Sequence, residues 1–345
     1  MSSKLKILIV DDSAFMRLLI SDLISADESI EVVGTAVNGL EAKEKTVALK
    51  PDLVILDLNM ADYDGLYAVK EIMKDRPTPI LILSSVGNTD LQPVFEALKN
   101  GAVDYMNKPN RNKSKMREIS AELIQKIKSA SRAKPRSIES SSEKPKISVS
   151  PRRKSKSKYN LIAIGASTGG PSAIERVLTS LPEGFDIPIL VCQHMPQVFI
   201  PPFVHRINGM TPLEIVAATK DDVLQPGKVL FCPGHANLIL KKEAGEVIVD
   251  FTDKKFKEYN NPSINAMMLS ASQIYSSKMV GVLLTGMGKD GVEGMKSIKN
   301  AGGHTVAQNK ESSVIYGMPK VAYEAGAVDT VLDINEIGHH LVNEL

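Results

Sequence analysis

The sequence lacks the long hydrophobic runs that a membrane-spanning protein needs. No apolar segment among its 345 residues approaches the roughly 20 residues that cross a bilayer, and Met1–Lys6 does not begin a secretory signal. Cysteine is also scarce, since Cys192 and Cys232 are the only two and each lies within an apolar run typical of a buried strand. We therefore expect a cytoplasmic protein with reduced, buried thiols and no direct membrane insertion.

Apolar residues are nearly absent from one central segment, residues 129–158. Residues 111–158 carry 16 basic and 4 acidic side chains, a net charge of +12, whereas residues 1–110 and 159–345 have net charges of −6 and −4. Such a segment cannot bury enough surface to offset its ordering entropy, which predicts a flexible, charge-extended linker. A basic arm for nucleic acid is the alternative. It is disfavoured because no aromatic side chain precedes Tyr159 in this segment to stack on bases, so we expect no nucleic-acid partner.

Short apolar runs alternate with helical patterns on both sides of this linker. That rhythm is typical of parallel sheets covered by helices, so we predict two doubly wound α/β domains, residues 4–128 and a larger one at 159–345. The strands expected in the first domain are Lys6–Val10, Glu31–Thr35, Asp52–Leu56, Pro79–Leu83 and Val103–Met106. Those expected in the second are Leu161–Ile164, Pro188–Cys192, Leu213–Ala217, Lys228–Phe231, Val280–Leu284 and Thr305–Ala307.

Charged and hydroxyl side chains follow the strands of the first domain. Asp11 and Asp12 follow the first strand, Asp57 the third and Ser84 the fourth, and Lys108 lies just past the fifth. Ligands bind beyond the carboxyl ends of parallel strands, so a flavodoxin-like strand order of 2-1-3-4-5 brings these residues together. Each alone would be an ordinary turn former or solvated side chain. Together, the carboxylates suit a hard cation such as Mg²⁺, while the ammonium and hydroxyl suit a phosphoryl group on the central acid.

Five motifs occur in order here: Val10-Asp11-Asp12-Ser13, Leu56-Asp57-Leu58-Asn59-Met60, Asp64-Gly65-Leu66, Ser84-Ser85 and Asn107-Lys108-Pro109. Together they resemble the receiver domain of two-component response regulators. The resemblance implies that Asp57 accepts a phosphoryl group from a chemotaxis histidine kinase. It assigns Mg²⁺ to Asp11, Asp12, Asp57 and the backbone carbonyl of Asn59. It assigns the conformational switch to Ser84, Tyr105 and Lys108. Ala61 departs from the family, in which Pro usually follows the Met.

A glycine-rich turn follows the first strand of the second domain. Its Gly-Ala-Ser-Thr-Gly sequence at 165–169 is a G-x-S-x-G pattern that places Ser167 on a tight strand-to-helix turn. A phosphate-binding loop is the competing interpretation, because helix N-termini bind anions. No Walker lysine follows and no acid ends a second strand at the required spacing, so the serine interpretation is favoured.

A nucleophilic serine needs a base and an acid that orients the base. His194 follows the strand 187–193 directly, at the same sheet edge as Ser167, and His235, which also follows a strand, is the second candidate. His339 and His340 lie on the last predicted helix and are expected at the surface. For the acid, Asp290 follows an apolar strand; its ordinary role would be to cap the helix at 291–300.

Four motifs of this domain also occur in order: residues 165–170, Gln193-His194-Met195, residues 285–291 and residues 313–319. They resemble the catalytic domain of chemotaxis protein-glutamate methylesterases over nearly all of residues 160–335. The resemblance implies the catalytic residues Ser167, His194 and Asp290, as nucleophile, base and orienting acid. It also implies that Thr168 and the Met287 backbone shape the active site and the oxyanion hole. Asn261 and Asn265 depart from the family, which more often has a basic residue or His at the first and Asp at the second.

The two resemblances imply a phosphorylation-activated serine hydrolase. Its substrates would be glutamyl methyl esters of methyl-accepting chemotaxis receptors, with methanol released, and receptor glutamines, which it would deamidate. We expect no cofactor at the hydrolase site and a receiver that covers the cleft until Asp57 is phosphorylated. A receiver-controlled hydrolase of a different protein ester or amide is the alternative. A DNA-binding output is disfavoured, because residues 159–345 show an α/β pattern rather than a compact helix-turn-helix.

Overall fold

The computed structural model describes residues 4–84, 91–108, 116–133, 135, 158–259 and 261–343. The chain separates into two compact units, residues 1–144 and 145–345. Most of the predicted linker at 129–158 lies outside the described residues, as do Ser85 and Pro109 of the quoted motifs. The finer domain division therefore stays a prediction. Among the described residues, no helix has the length and apolar character needed to cross a membrane.

The first unit is built on a five-stranded parallel sheet. Its strands are β1 (Leu5–Val10), β2 (Ile30–Ala36), β3 (Leu53–Asp57), β4 (Ile80–Ser84) and β5 (Asp104–Asn107). Its helices are α1 (Ala14–Ile24), α2 (Gly39–Leu49), α3 (Gly65–Asp75), α4 (Gln92–Lys99) and α5 (Met116–Ala130). The strand order is β2-β1-β3-β4-β5, as predicted. Because Asp57 and Ser84 end their strands rather than follow them, the sheet itself fixes their positions.

The residues of the sequence motifs also start the helices of this unit. The side chain of Ser13 accepts a hydrogen bond from the Met16 N–H at the start of α1, and that of Asp64 accepts one from the Tyr67 N–H at the start of α3. Gly65 allows the chain to approach the end of β3 closely, because a Cβ there would collide with the Asp57 carbonyl. The Asp64-Gly65 pair thus lets α3 begin close to the end of β3.

The second unit is larger and also built on a parallel sheet. Its strands are β6 (Leu161–Ala166), β7 (Ile189–Gln193), β8 (Glu214–Ala217), β9 (Lys228–Phe231), β10 (Asn237–Glu243), β11 (Glu246–Thr252), β12 (Met279–Leu283), β13 (His304–Gln308) and β14 (Thr330–Leu332). Its helices are α6 (Gly170–Thr179), α7 (Ile200–Asn208), α8 (Ile264–Tyr275), α9 (Val292–Asn300), α10 (Met318–Glu324) and α11 (Ile334–Asn343). Seven parallel strands form the order β14-β13-β12-β6-β7-β9-β8. The predicted fold class, two parallel-sheet α/β domains, is confirmed.

The hairpin β10–β11 was not predicted. It forms a separate antiparallel pair that packs against α8. Its turn, Ala244-Gly245, has positive φ at both residues, 48° and 91°, as in two-residue hairpin turns of the primed type. Ala is rarely found at the first of these positions, so the sequence carried no strong hairpin signal there.

His340 is buried rather than at the surface, which corrects the prediction. It is 7% exposed, and its Nε2 lies 3.2 Å from Nε2 of His304. Ile337 and Leu341, the two fully buried apolar residues of α11, lie three residues before and one after it. The helical period therefore places His340 on the inward face, and His339, which is exposed, on the outward face.

Candidate active site and phosphorylation site

Three side chains meet at the carboxyl end of the first sheet. The ammonium of Lys108 lies 2.7 Å from Oδ2 of Asp11 and 2.6 Å from Oδ2 of Asp57. Both acids are buried, and Asp57 is 2% exposed. Asp12, which is exposed, contributes a third carboxylate, and one oxygen of each acid lies within 4.8 Å of the others. This oxygen-only donor set suits a hard divalent cation.

Burial and neighbouring charges shift the pKa values of two groups in this pocket. Burial raises the pKa of the Asp57 carboxyl, and the neighbouring Asp11 carboxylate adds to the rise, although the Lys108 ammonium opposes both. Burial works to lower the pKa of Lys108, but the two carboxylates together outweigh it and the pKa ends above its ordinary value. The site therefore retains its positive charge while disfavouring ionisation of its central acid.

Two residues of the predicted switch, Ser84 and Tyr105, lie on the strands β4 and β5 of this sheet. Ser84 is buried at the end of β4, and its carbonyl accepts a hydrogen bond of 2.7 Å from the Lys108 N–H. Tyr105 is buried on β5, with the Lys126 ammonium 6.0 Å from its ring centroid. The backbone N–H of Asn59 donates to Oδ1 of Asp57 over 3.2 Å, which brings the Asn59 backbone beside the Asp57 carboxylate.

In the second unit, neighbouring strands bring the serine and the histidine together. Ala166 of β6 and Gln193 of β7 are register partners, and Ser167 and His194 are the next residues along each strand. The Ser167 N–H donates to the Thr285 carbonyl over 3.0 Å and the His194 N–H to the Ala166 carbonyl over 3.0 Å. The Nδ1 atom of His194 then lies 3.1 Å from Oγ of Ser167.

Asp290 completes this arrangement on the other side of the imidazole. Its Oδ2 lies 2.8 Å from Nε2 of His194, and the carboxylate is 2% exposed. With Nε2–H donating to the carboxylate, the lone pair of Nδ1 faces the serine hydroxyl. This is the tautomer that a base for Ser167 requires.

Asp290 is not the N-cap of α9, which corrects the interpretation that its ordinary role is to cap that helix. The N-cap of α9 is Gly291, without a side-chain hydrogen bond. The carboxylate instead lies across the N-terminus of α8, where it accepts hydrogen bonds from the N–H groups of Ile264 at 2.7 Å and Asn265 at 3.0 Å. Ser263 Oγ–H donates to it as well over 3.2 Å. The positive end of the α8 dipole thus holds the negative charge in a buried position.

Two glycine-rich segments border the serine. Thr168 is buried, and its carbonyl accepts a hydrogen bond of 3.0 Å from Oγ1 of Thr285. A Cβ on Gly286 would lie 2.7 Å from Cβ of Ser167, so the chain passes Ser167 at a distance that only glycine allows. The next N–H, that of Met287, donates to no other described residue.

His235, the second candidate for the base, is directed elsewhere. Its Nδ1 lies 3.4 Å from the Pro233 carbonyl, and its ring centroid lies 6.2 Å from that of Phe251. The structure thus joins Ser167 to His194, not to His235, by a hydrogen bond.

Sequence reasoning missed three side chains around the site. Nε2 of buried Gln193 donates to the carbonyls of both Ser167 and His194 over 3.0 Å, which ties the two turns together. The Tyr259 ring stacks on the His194 imidazole, with 3.7 Å between centroids and 13° between planes. Asn237 binds the loop that carries this tyrosine. Only Gln193 had a sequence signal, because a polar residue at the end of a buried strand must find partners.

The departures from the family pattern have structural roles here. The Asn261 N–H donates to Oδ1 of Asn237 over 2.8 Å. The side chain of buried Asn265 accepts a hydrogen bond of 2.9 Å from the Gly294 N–H and so joins α8 to α9. Ala61 is exposed.

Comparison with known proteins agrees with this geometry. The CheB methylesterase family matches residues 162–341, and the response regulator receiver domain matches residues 7–120. The chain belongs to the CheB methylesterase family. It is 38% identical over 340 residues to a protein-glutamate methylesterase/protein-glutamine glutaminase of Thermotoga maritima, with 98% of each chain covered. It is 37% identical to a protein of the same name from Geobacter sulfurreducens over 98% of this chain and 97% of that one.

The CheB methylesterase catalytic domain of Thermotoga maritima is also similar in structure. That crystal structure is 35% identical, covers 54% of this chain and 99% of its own, and gives a TM-score of 0.53. The predicted family and the predicted enzyme class, a carboxylic ester hydrolase with a receiver domain, are therefore confirmed.

Proposed function

We propose that the chain is a cytoplasmic, phosphorylation-controlled protein-glutamate methylesterase whose catalytic residues are Ser167, His194 and Asp290. The observation that carries this proposal is the continuous hydrogen-bonded series from the serine through the imidazole to the buried carboxylate. Family membership supports the activity, and the geometry supports the assignment of roles.

The reaction is acyl transfer. Nδ1 of His194 takes the proton of Ser167 while the serine Oγ attacks the carbonyl carbon of a γ-glutamyl methyl ester. Asp290 keeps Nε2 protonated and stabilises the imidazolium that forms. The imidazolium then returns its proton to the leaving methoxide, methanol departs, and water hydrolyses the acyl-enzyme by the same base. No cofactor enters any of these steps.

The oxyanion of the tetrahedral intermediate would be held by backbone donors beside the serine. Met287 N–H is the principal candidate, since it follows Gly286, which approaches Ser167 closely, and it donates to no other described residue. Thr168 supports this wall of the site through its bond to Thr285. Removal of one such donor typically costs about 10²–10³ in kcat.

The receiver would control this site through Asp57. Mg²⁺ would be held by the carboxylates of Asp11, Asp12 and Asp57 and by the Asn59 carbonyl, and it would favour the ionised form of Asp57, which burial and the neighbouring Asp11 carboxylate disfavour. Lys108 would pair with the phosphoryl group, and Ser84 and Tyr105 would form the conformational switch with it. The phosphodonor is a chemotaxis histidine kinase and the substrates are methyl-accepting chemotaxis receptors, in accordance with the family.

The names of the relatives support a second activity at the same site. Both relatives described above are also named protein-glutamine glutaminases. A glutamine side chain presents the same γ-carbonyl to Ser167, and the leaving ammonia takes its proton from His194 as methanol does. The same residues would therefore deamidate receptor glutamines.

The test is methanol release from methylated receptor, measured with and without a small-molecule phosphodonor and Mg²⁺. Ser167→Ala should lower the rate by at least about 10³-fold, and His194→Ala should be similarly severe. Ser172→Ala, an exposed serine on α6, and His235→Ala are the controls and should remain close to wild type. A Ser167→Ala enzyme with near wild-type activity would contradict the serine mechanism. Loss of methanol release in His235→Ala but not in His194→Ala would assign the role of the base to His235.

A further inference from the structure

The catalytic imidazole has a third neighbour besides the serine and the acid. The ring of Tyr259 lies parallel to that of His194, within 13°, at a centroid distance of 3.7 Å. At this separation the two rings overlap almost completely. Tyr259 is 43% exposed, whereas the side chain of His194 is 5% exposed. The tyrosine therefore shields one face of the imidazole from solvent.

The loop that carries Tyr259 is fixed on both sides of the residue by one buried side chain. Nδ2 of Asn237 donates to the Lys254 carbonyl over 3.1 Å, and its Oδ1 accepts from the N–H groups of Asn261 and Ser263, both at 2.8 Å. Asn237 begins β10, so the hairpin anchors this loop. An aromatic side chain on an anchored loop can exert a defined restraint on the ring that it covers.

The same loop is joined to the acid of the site. Ser263, which follows it, caps α8 by accepting from the Ala266 N–H, and its Oγ–H donates to Oδ1 of Asp290. The tyrosine and the carboxylate thus reach the imidazole from the same end of α8. Tyr259 covers the face of the His194 ring, and Asp290 contacts its Nε2 edge.

We propose that Tyr259 is a positioning residue for His194: its ring keeps the imidazole in the plane that connects Ser167 with Asp290. This inference rests on the catalytic roles proposed above. A hydrogen bond at each nitrogen still allows the imidazole to rock about the line that joins its two partners, and a parallel ring on its face opposes that motion. The electron-rich face of the tyrosine also favours the imidazolium that exists after proton transfer. The hydroxyl group has no part in either effect.

Kinetics with the full-length, phosphodonor-activated enzyme and methylated receptor test the proposal. Tyr259→Phe keeps the stacked ring and should retain kcat within about twofold. Tyr259→Leu removes it and should lower kcat roughly 3- to 30-fold with little change in KM, as expected for a contact strengthened by a developing positive charge. Tyr323→Leu, which removes an exposed tyrosine on α10, is the matched control and should match wild type.

An NMR measurement tests the stacking of Tyr259 on His194 independently of catalytic activity. In protein labelled with ¹³C-histidine, the ring protons of His194 should resonate upfield because they lie over the Tyr259 ring, and His194→Gln identifies their signals by removing them. The upfield shift should persist in Tyr259→Phe and disappear in Tyr259→Leu. This result does not depend on activity. If Ser167→Ala were active, the proposed function would fail while the stack would stand.

Three outcomes would overturn the proposal. Ring-proton shifts that are unchanged in Tyr259→Leu would show that the rings do not stack. A lost shift with unchanged kcat would show that the stack does not position the base. A fall in kcat that is equal in Tyr259→Phe and Tyr259→Leu would assign the effect to the hydroxyl group rather than to the ring.

Discussion

Replacement of Asp290 by asparagine removes one charge and changes one acceptor into a donor. Oδ1 accepts from Ser263, Asn265 and Gly291, and Oδ2 accepts from Ile264 and from Nε2 of His194. The amide oxygen should therefore take the place of Oδ1, which satisfies more donors. The amide NH₂ then faces the Ile264 N–H and the histidine.

His194 would have to change its tautomer to accept this hydrogen bond. A proton on Nδ1 would then face Ser167 Oγ, 3.1 Å away, and the nitrogen could no longer act as the base. For a triad, this wrong tautomer costs about 10⁴ in kcat. The buried Ile264 N–H also loses its acceptor, which should lower the free energy of unfolding by about 1–3 kcal/mol.

Methanol release and urea denaturation measure the two effects separately. Asp329→Asn is the matched control, because Asp329 accepts hydrogen bonds from the N–H and Oγ–H of Thr305 outside the site. It should lose stability without losing kcat. An Asp290→Asn enzyme that keeps more than about a tenth of the wild-type kcat would refute the tautomer argument.

Three further predictions follow from other parts of the structure. Gly286→Ala should lower kcat and cost about 1–3 kcal/mol of stability, because the new methyl would lie 2.7 Å from Cβ of Ser167. Gly209→Ala, at φ −74° and with the nearest neighbour of the new methyl 3.6 Å away, should do neither. Without Mg²⁺, Asp57→Asn should raise the free energy of unfolding at pH 7, because burial raises the pKa of Asp57 in the folded protein and its ionisation therefore costs stability. The gain should shrink as the pH falls below this raised pKa and vanish below the ordinary pKa of an Asp side chain; the absence of any gain in a denaturation series would contradict the burial argument. Finally, residues 155–345 alone should be more active than the unphosphorylated full chain, and phosphorylation should restore at most that rate; equal basal rates would reject inhibition by the receiver.

The sequence predicted those parts of the site that regular structure positions. Asp57 and Ser84 end strands, and Ser167 and His194 follow strands that pair in register, so strand order alone brings them together. Parallel sheets collect their carboxyl ends at one edge, and an apolar run shows where each strand ends.

The sequence did not predict the contacts that loops make. Tyr259 and Asn237 meet the site only through a loop path that no periodicity encodes, and the β10–β11 hairpin that supports it has an atypical turn. Asp290 precedes α9 in the sequence but accepts hydrogen bonds from the N-terminus of α8, which is its neighbour in space and not in sequence. The prediction of His340 at the surface was wrong, because its position on the inward face of α11 determines its burial and its polarity does not.

The pairing of β6 with β7 makes the Ser167–His194 pair more resistant to local unfolding than the contact between Tyr259 and His194. Ser167 and His194 each extend a central strand, so they separate only when the interior of the sheet opens. The tyrosine that covers the imidazole reaches it from a loop that Asn237 holds on both sides of the tyrosine. Local opening of that loop requires far less free energy than opening of the sheet. Under mild heating the contact of Tyr259 with His194 should therefore be lost while Ser167 and His194 remain adjacent, and this loss should reverse on cooling.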